Sequence, residues 1–329
     1  MSEIDDLIDL LYTAGYQANE AVDKLVIKKE AALEPLIAVL EGKHPIPSPK
    51  PSMGLIGQVI FFVRSIVDSE QVAASARRNA VRALGGIKGE RAIEALANSM
   101  QTDSNVPVRR ACVECLGSLA DPLAVEALAA ILDNPLARGL HDTAAYSLMQ
   151  HGDLRCIPFF IRVLDNPDRM NYKPLLIQRL SKLRDPRLVD PLIRLLRLPG
   201  FQWNVSTEAA RALVILGDPR TVEALVEVLN HPATSGATQE ACLEALAKFG
   251  GHRAAEGILQ WLRKIIQTPA PRWSDSEENY GESDWGTPMH VLRLLWGTGL
   301  NSLKRTGDSE AIAELDELLN AAPAYIPHE

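Results

Sequence analysis

The chain has 329 residues, 47% hydrophobic and 23% charged, with 34 Lys and Arg against 42 Asp and Glu for a net charge of −8. This is the balance of a globular protein with ample material for a core, and its acidic sum argues against a nucleic-acid partner, whose phosphates need clustered Lys and Arg. Aromatics stand at only 5%, Ala and Leu dominate, and the cysteines (Cys112, Cys115, Cys156, Cys242) follow no disulfide-framework spacing, which together predict small-residue helix packing in a reducing, cytoplasmic compartment.

At the amino end, Ser2-Glu3-Ile4-Asp5-Asp6 is acidic and lacks the apolar core of a secretory leader. Leu33, Leu36 and Leu40 then mark one face of a helix, the first instance of a pattern that recurs along the chain. An insertion at 43–70 interrupts it. Residues 43–53 read KHPIPSPKPSM, and prolines at 45, 47, 49 and 51 predict extended backbone that cannot form helix. Residues 54–66, GLIGQVIFFVRSI, predict an extra helix, shorter than a membrane span and interrupted by Gln58 and Arg64. It reads as an end-cap over the first repeats, or as a helix that docks a partner.

Beyond residue 78 the pattern becomes measurable. Taking Asp218 of Gly217-Asp218-Pro219-Arg220 as an anchor, equivalent positions are Gly89, Asp121, Asp153, Asp185, Asp218 and Gly251, at steps of 32, 32, 32, 33 and 33. Four, seven and eleven residues after Asp218 come Val222, Leu225 and Leu229, and the counterparts in other repeats are also apolar, which is one face of an α-helix. Five residues before each anchor stands a leucine: Leu84, Leu116, Leu148, Leu180, Leu213 and Leu246. Each period is therefore two amphipathic helices. Lys29 and Asp308 serve as outer anchors, the latter followed by Ile312, Leu315 and Leu319. The chain is predicted to be all-α, a single α-solenoid over 1–329 of about eight helical hairpins with two insertions.

The anchor residues have a structural reason for their places. Gly ends one helix, Asp caps the next by accepting from its free N–H groups, and Pro suits the first turn. Arg91, Arg155, Arg187, Arg220 and Arg253 recur two residues after the anchor, which predicts a ladder of Asp–Arg pairs between neighbouring repeats.

The second insertion, 267–288, sets Trp273, Tyr280 and Trp285 among Asp275, Glu277, Glu278, Glu282 and Asp284, with no Lys or Arg between Ser274 and Pro288. Aromatics in an acidic loop fit a partner-binding element, since Trp and Tyr are enriched at interfaces. The plainer alternative is a loop tacked down by its own aromatics.

Two blocks carry a resemblance: VRRACVECLGSLADP at 108–122 and LGDPRTVEALVEVL at 216–229. They resemble the HEAT-like repeats of the cyanobacterial phycobilin-lyase family, found in two-subunit bilin lyases, in phycobilisome-degradation factors and in HEAT proteins linked to iron–sulfur assembly. The resemblance implies the solenoid and a concave side lined by the helices preceding the anchors.

Positions eleven and seven before the anchor share a helix face. In order they are Arg78/Arg82, Arg110/Glu114, Asp142/Tyr146, Pro174/Gln178, Thr207/Arg211 and Glu240/Glu244, with Arg77 and Arg109 adding to the first two. The predicted groove thus grades from basic to acidic. Such a face suits protein recognition, and its arginines also match carboxylates such as bilin propionates. Cys112 and Cys115 form a C-x-x-C, but Cys112 matches Ala80, Ala144, Ala209 and Cys242 in other repeats and Cys115 matches Ala83, Ser147, Ala212 and Ala245, so they read as small core residues rather than a metal or cluster-transfer pair. No His-Glu pair recurs at helical spacing, which sets the chain apart from the di-iron HEAT hydroxylases, and no Gly-rich phosphate loop or Ser/His/Asp order is visible.

The expectation is a cytoplasmic scaffold or chaperone, with no cofactor, no nucleic acid and no membrane insertion. Its partner would be another protein, such as a phycobiliprotein or an assembly factor in phycobilisome biogenesis or turnover. The resemblance also implies two alternatives: a lyase handling a phycocyanobilin-type open-chain tetrapyrrole, and an iron–sulfur assembly partner.

Overall fold

The computed structural model describes residues 3–13, 15–47, 69–166, 173–198, 204–267 and 288–321. The chain divides into two compact units, Met1–Phe159 and Phe160–Glu329. The first holds α1 (Glu3–Leu10), α2 (Tyr16–Lys28), α3 (Glu30–Leu40), α4 (Ser69–Ile87), α5 (Glu90–Thr102), α6 (Val106–Ser118), α7 (Pro122–Asp133) and α8 (His141–Gln150). Helix α9 (Ile157–Asp165) carries the chain across the boundary. The second unit holds α10 (Lys173–Ser181), α11 (Val189–Leu196), α12 (Val205–Leu216), α13 (Thr221–Leu229), α14 (Gly236–Phe249), α15 (Gly251–Gln267), α16 (Pro288–Thr306) and α17 (Ser309–Ala321). Among the described residues there is no strand. The eight anchors join eight helical pairs, from α2/α3 to α16/α17, so the fold is the all-α solenoid of HEAT-like hairpins that the period predicts.

Each unit is built in two layers. In the first, the helices preceding the anchors stack in order as α2, α4, α6 and α8, and those following stack as α3, α5 and α7. In the second, α10, α12, α14 and α16 form one row, and α11, α13, α15 and α17 the other. The leucine column explains the cohesion. Leu84, Leu116, Leu148, Leu213 and Leu246 are all 0% exposed. Burying each contributes about 2 kcal/mol. Adjacent helices approach closely where small residues meet. A Cβ built on Gly85 would lie 2.3 Å from Cys115 Sγ, and one on Gly117 2.2 Å from Ser147 Oγ.

The anchor turns show how the sequence stops one helix and starts the next. Asp121 accepts from the Leu123 N–H at 2.8 Å, Asp153 from Arg155 at 2.9 Å, and Asp185 from Arg187 at 2.8 Å. At most anchors, though not before Asp121, the preceding position takes the left-handed region. Glycine supplies it at Gly152 (φ 74°) and Gly217 (φ 69°), whereas Lys88 (φ 62°) and Arg184 (φ 51°) adopt it against their side-chain sterics.

The expected ladder of Asp–Arg pairs between repeats is corrected. Arg155, Arg187 and Arg220 fold back on the Asp of their own turn, at 2.6, 2.7 and 2.7 Å. The rungs between repeats go instead to an acid five residues after the preceding anchor: Arg91–Glu34 (3.2 Å), Arg155–Glu126 (2.8 Å), Arg220–Asp190 (3.6 Å) and Arg253–Glu223 (2.7 Å). The reason is geometric: the capping Asp is already turned toward its own helix, so the guanidinium chelates it first and reaches back with its free edge.

The insertions interrupt the chain between α3 and α4 and between α15 and α16. The extra helix expected at 54–66, and Trp273, Tyr280 and Trp285, lie outside the described residues. No described helix is long and apolar enough to cross a membrane.

Candidate functional site

In the first unit, the helices preceding the anchors turn one stripe each to solvent. These stripes bear Tyr16, Asn19, Asp23 and Ile27 on α2, Arg78 and Arg82 on α4, Arg110, Glu114 and Ser118 on α6, and Asp142, Tyr146 and Gln150 on α8, all of them exposed. Because α2, α4, α6 and α8 are successive neighbours, the stripes form one open face. Arg82 donates from Nη1 to Asn19 Oδ1 at 2.8 Å, which ties the α2 stripe to the arginines.

The arginines of this face differ from those of the anchor turns. Arg91, Arg155, Arg187, Arg220 and Arg253 each engage a carboxylate. Among the described residues Arg78 and Arg110 have no hydrogen-bond or ion-pair partner, and Arg82 has only the neutral Asn19 amide. Between α4 and α6 lies an open concavity of about 600 Å³, lined by Arg78, Arg82, Asn79, Glu114, Cys115 and Ser118 among others. It brings together three of the residues that the spacing predicts as groove residues. Arg77 and Arg109, expected to add to this basic end, are structural. Arg77 is 8% exposed and donates to Asp103 at 2.9 Å and Glu70 at 2.7 Å, while Arg109 donates to the Asp103 carbonyl at 2.5 Å.

In the second unit, Gln178, Arg211, Glu240 and Glu244 are exposed on α10, α12 and α14. Arg211 pairs with Glu208 of its own helix at 2.8 Å. Thr207, expected on the same face, is instead buried at 4% and shares a hydrogen bond of 3.1 Å with Thr238. A second concavity of about 260 Å³ is lined by the hydroxyls of Ser206, Thr234, Ser235 and Thr238 and edged by Arg197 and Glu227, which pair at 2.6 Å.

The thiols are packed. Cys112 is 0% exposed, and burial pushes its pKa up to about 12. Cys115 donates to the Val81 carbonyl at 3.5 Å, and burial pushes its thiol up to about 11. Both are protonated near neutral pH, whereas the nucleophilic form of a cysteine is the thiolate. Among the described residues no three His, Cys, Asp or Glu side chains gather as metal ligands would.

Sequence reasoning missed the α2 stripe. Its signal was legible, because Tyr16, Asn19, Asp23 and Ile27 stand at intervals of 3, 4 and 4. The anchor of this repeat is Lys29 in place of Asp, and the apolar column that marks the repeat, Leu33, Leu36 and Leu40, lies on the helix after it.

The model of the HEAT-repeat family matches residues 70–149 and 157–247. No curated protein matches the chain. Among solved structures, the complex of CpcE and CpcF of phycocyanin lyase from Nostoc sp. PCC7120 is similar at 19% identity and a TM-score of 0.30, covering 98% of this chain and 95% of that one. Human deoxyhypusine hydroxylase in complex with glycerol is similar at 14% identity and a TM-score of 0.28, covering 84% of this chain and 98% of that one.

Proposed function

The chain belongs to the HEAT-repeat family, and from that premise we propose that it is a cytoplasmic scaffold or chaperone that holds another protein and catalyses no reaction itself. The observation that carries this reading is the free charge on the open face of the first unit. Arg78 and Arg110 are unpaired among the described residues, while the anchor-turn arginines are all engaged. An exposed cation held in fixed register steers association and sets orientation. Glu114, Asp142 and Tyr146 supply the rest of the recognition surface of the first unit, Gln178, Arg211, Glu240 and Glu244 supply a surface of the second unit, and the acidic aromatic segment with Trp273, Tyr280 and Trp285 supplies a further contact. The likeness of 108–122 and 216–229 to phycobilin-lyase repeats supports a phycobiliprotein, or a factor that assembles or dismantles the phycobilisome, as the partner. Affinity capture from the source cell tests this. The wild-type chain is expected to recover a protein that the Arg78→Glu/Arg110→Glu variant does not. Equal recovery by both would overturn the reading.

A second reading is favoured by the concavity of about 600 Å³ beside Arg78 and Arg82. That volume lies in the range of small-molecule sites, and guanidinium forks match propionates bidentately. On this reading the chain attaches or removes a phycocyanobilin-type chromophore by positioning it, which needs no local catalytic motif. Mixing the purified protein with phycocyanobilin separates the two: a shifted visible spectrum supports bilin handling, and an unchanged one removes it. No observation favours the iron–sulfur alternative: Cys112 is fully buried, and Cys115 is half-buried with its thiol held on the Val81 carbonyl.

A further inference from the structure

We infer that the open face of the first unit receives a protein segment in which carboxylates are flanked by apolar side chains. This rests on the scaffold reading and names the chemistry of what is held. The centre of the face is cationic. Arg78 and Arg82 stand one turn apart on α4, about 6 Å between their Cβ atoms, with Arg110 on the adjacent α6. Two of these guanidiniums have no partner among the described residues, and the third donates only to Asn19. A guanidinium stays charged, and its planar fork is matched best by a carboxylate.

Large apolar groups stand in water on both sides of that centre. Tyr16 is 79% exposed and Ile27 76%, and eleven residues of spacing place them on one side of α2. Tyr146, on α8 at the other side, is 38% exposed. The Arg82–Asn19 bond joins the α2 stripe to the arginines, so apolar, cationic and apolar zones run as one strip. Aromatic side chains and arginines are the groups enriched where proteins meet.

The interleaved acids decide the class of partner. Asp23, Glu114 and Asp142 are exposed among the arginines, and the chain carries a net charge of −8. A phosphate backbone requires an unbroken basic track, so the strip fits a polypeptide with localised carboxylates rather than nucleic acid. With helices about 10 Å apart, four stacked helices span on the order of 30 Å, which roughly ten extended residues cover.

Selection from a library of random peptides, each about twelve residues long, on the full-length chain tests the inference. Counter-selection uses an Arg78→Glu/Arg110→Glu variant whose thermal midpoint matches wild type. The selected peptides are expected to carry central Asp or Glu with Leu, Phe or Trp on both flanks. They should bind the charge-reversed variant about tenfold or more weakly, a difference of ~1.4 kcal/mol. They should also weaken against Tyr16→Ser/Ile27→Ser. Basic or neutral peptides, or acidic ones bound equally by both proteins, would overturn the inference while leaving the scaffold reading in place. Competition by a DNA duplex at micromolar concentration would also overturn it. No selected peptide together with no captured protein would remove the scaffold reading itself.

Discussion

At Gly117 a side chain would meet Ser147 at once, with the built Cβ 2.2 Å from Oγ and 2.7 Å from Cβ. Gly117→Ala is therefore expected to cost about 1–3 kcal/mol through overpacking between α6 and α8. Thermal unfolding should show that Ser147→Gly added to it costs less than the sum of the single changes. Strict additivity would mean the crowding is relieved elsewhere. The cysteines allow a second test at this scale. With thiols pushed up to about 12 and 11, Cys112 and Cys115 should react with a thiol reagent at neutral pH far more slowly in the native chain than after unfolding. Fast native labelling of both would contradict a packing role.

At the scale of the element, the anchor turn sets the stability profile. The carboxyls of Asp153, Asp185 and Asp218 are held below the usual range, first by the guanidinium of the arginine two residues on. A depressed folded value stabilises above the unfolded carboxyl value of about 3.9, and that contribution is lost as pH falls through the folded value. The thermal midpoint is accordingly expected to hold steady from neutrality to about pH 4.5 and to fall below about pH 4. Asp185→Ala removes a cap and should cost about 1 kcal/mol. Lys88→Gly should stabilise by about 1 kcal/mol, because φ 62° suits glycine. The inter-repeat rungs matter less. Arg155 and Glu126, with side chains 45% and 68% exposed, should couple by less than about 1 kcal/mol in a double-mutant cycle.

The period was legible because interior packing admits few residue types. Leucines five before the anchor and apolar residues at four, seven and eleven after it are what two stacked layers require. Rotation of a helix about its axis was not legible. Thr207 occupies the same register as Arg78, yet its hydroxyl faces Thr238 inside the stack while Arg78 faces solvent. Arg77, next to the exposed Arg78, points inward to Asp103. A spacing of four says that two residues share a face. It does not say which neighbour that face meets, and the partners that decide it come from other repeats. The inter-repeat acids Glu34, Glu126, Asp190 and Glu223 form a column five residues after the anchors, but the capping Asp offers the same arginines a carboxylate closer in sequence.

For the whole molecule, the arginines of the anchor turns and those of the open face differ in what they meet. Those on the anchor beat close turns and bridge repeats. Arg78, Arg82 and Arg110 on the open face meet no carboxylate among the described residues. An acidic chain that keeps a small basic field unpaired gains orientation and encounter rate from it. The most direct test is a titration of the captured partner against three proteins: wild type, Arg78→Glu/Arg82→Glu/Arg110→Glu, and the anchor-turn control Arg155→Glu/Arg220→Glu. The account predicts that the first variant binds about tenfold or more weakly with an unchanged thermal midpoint, and that the control binds as wild type does. Equal affinity for the first variant, or loss confined to the control, would contradict it.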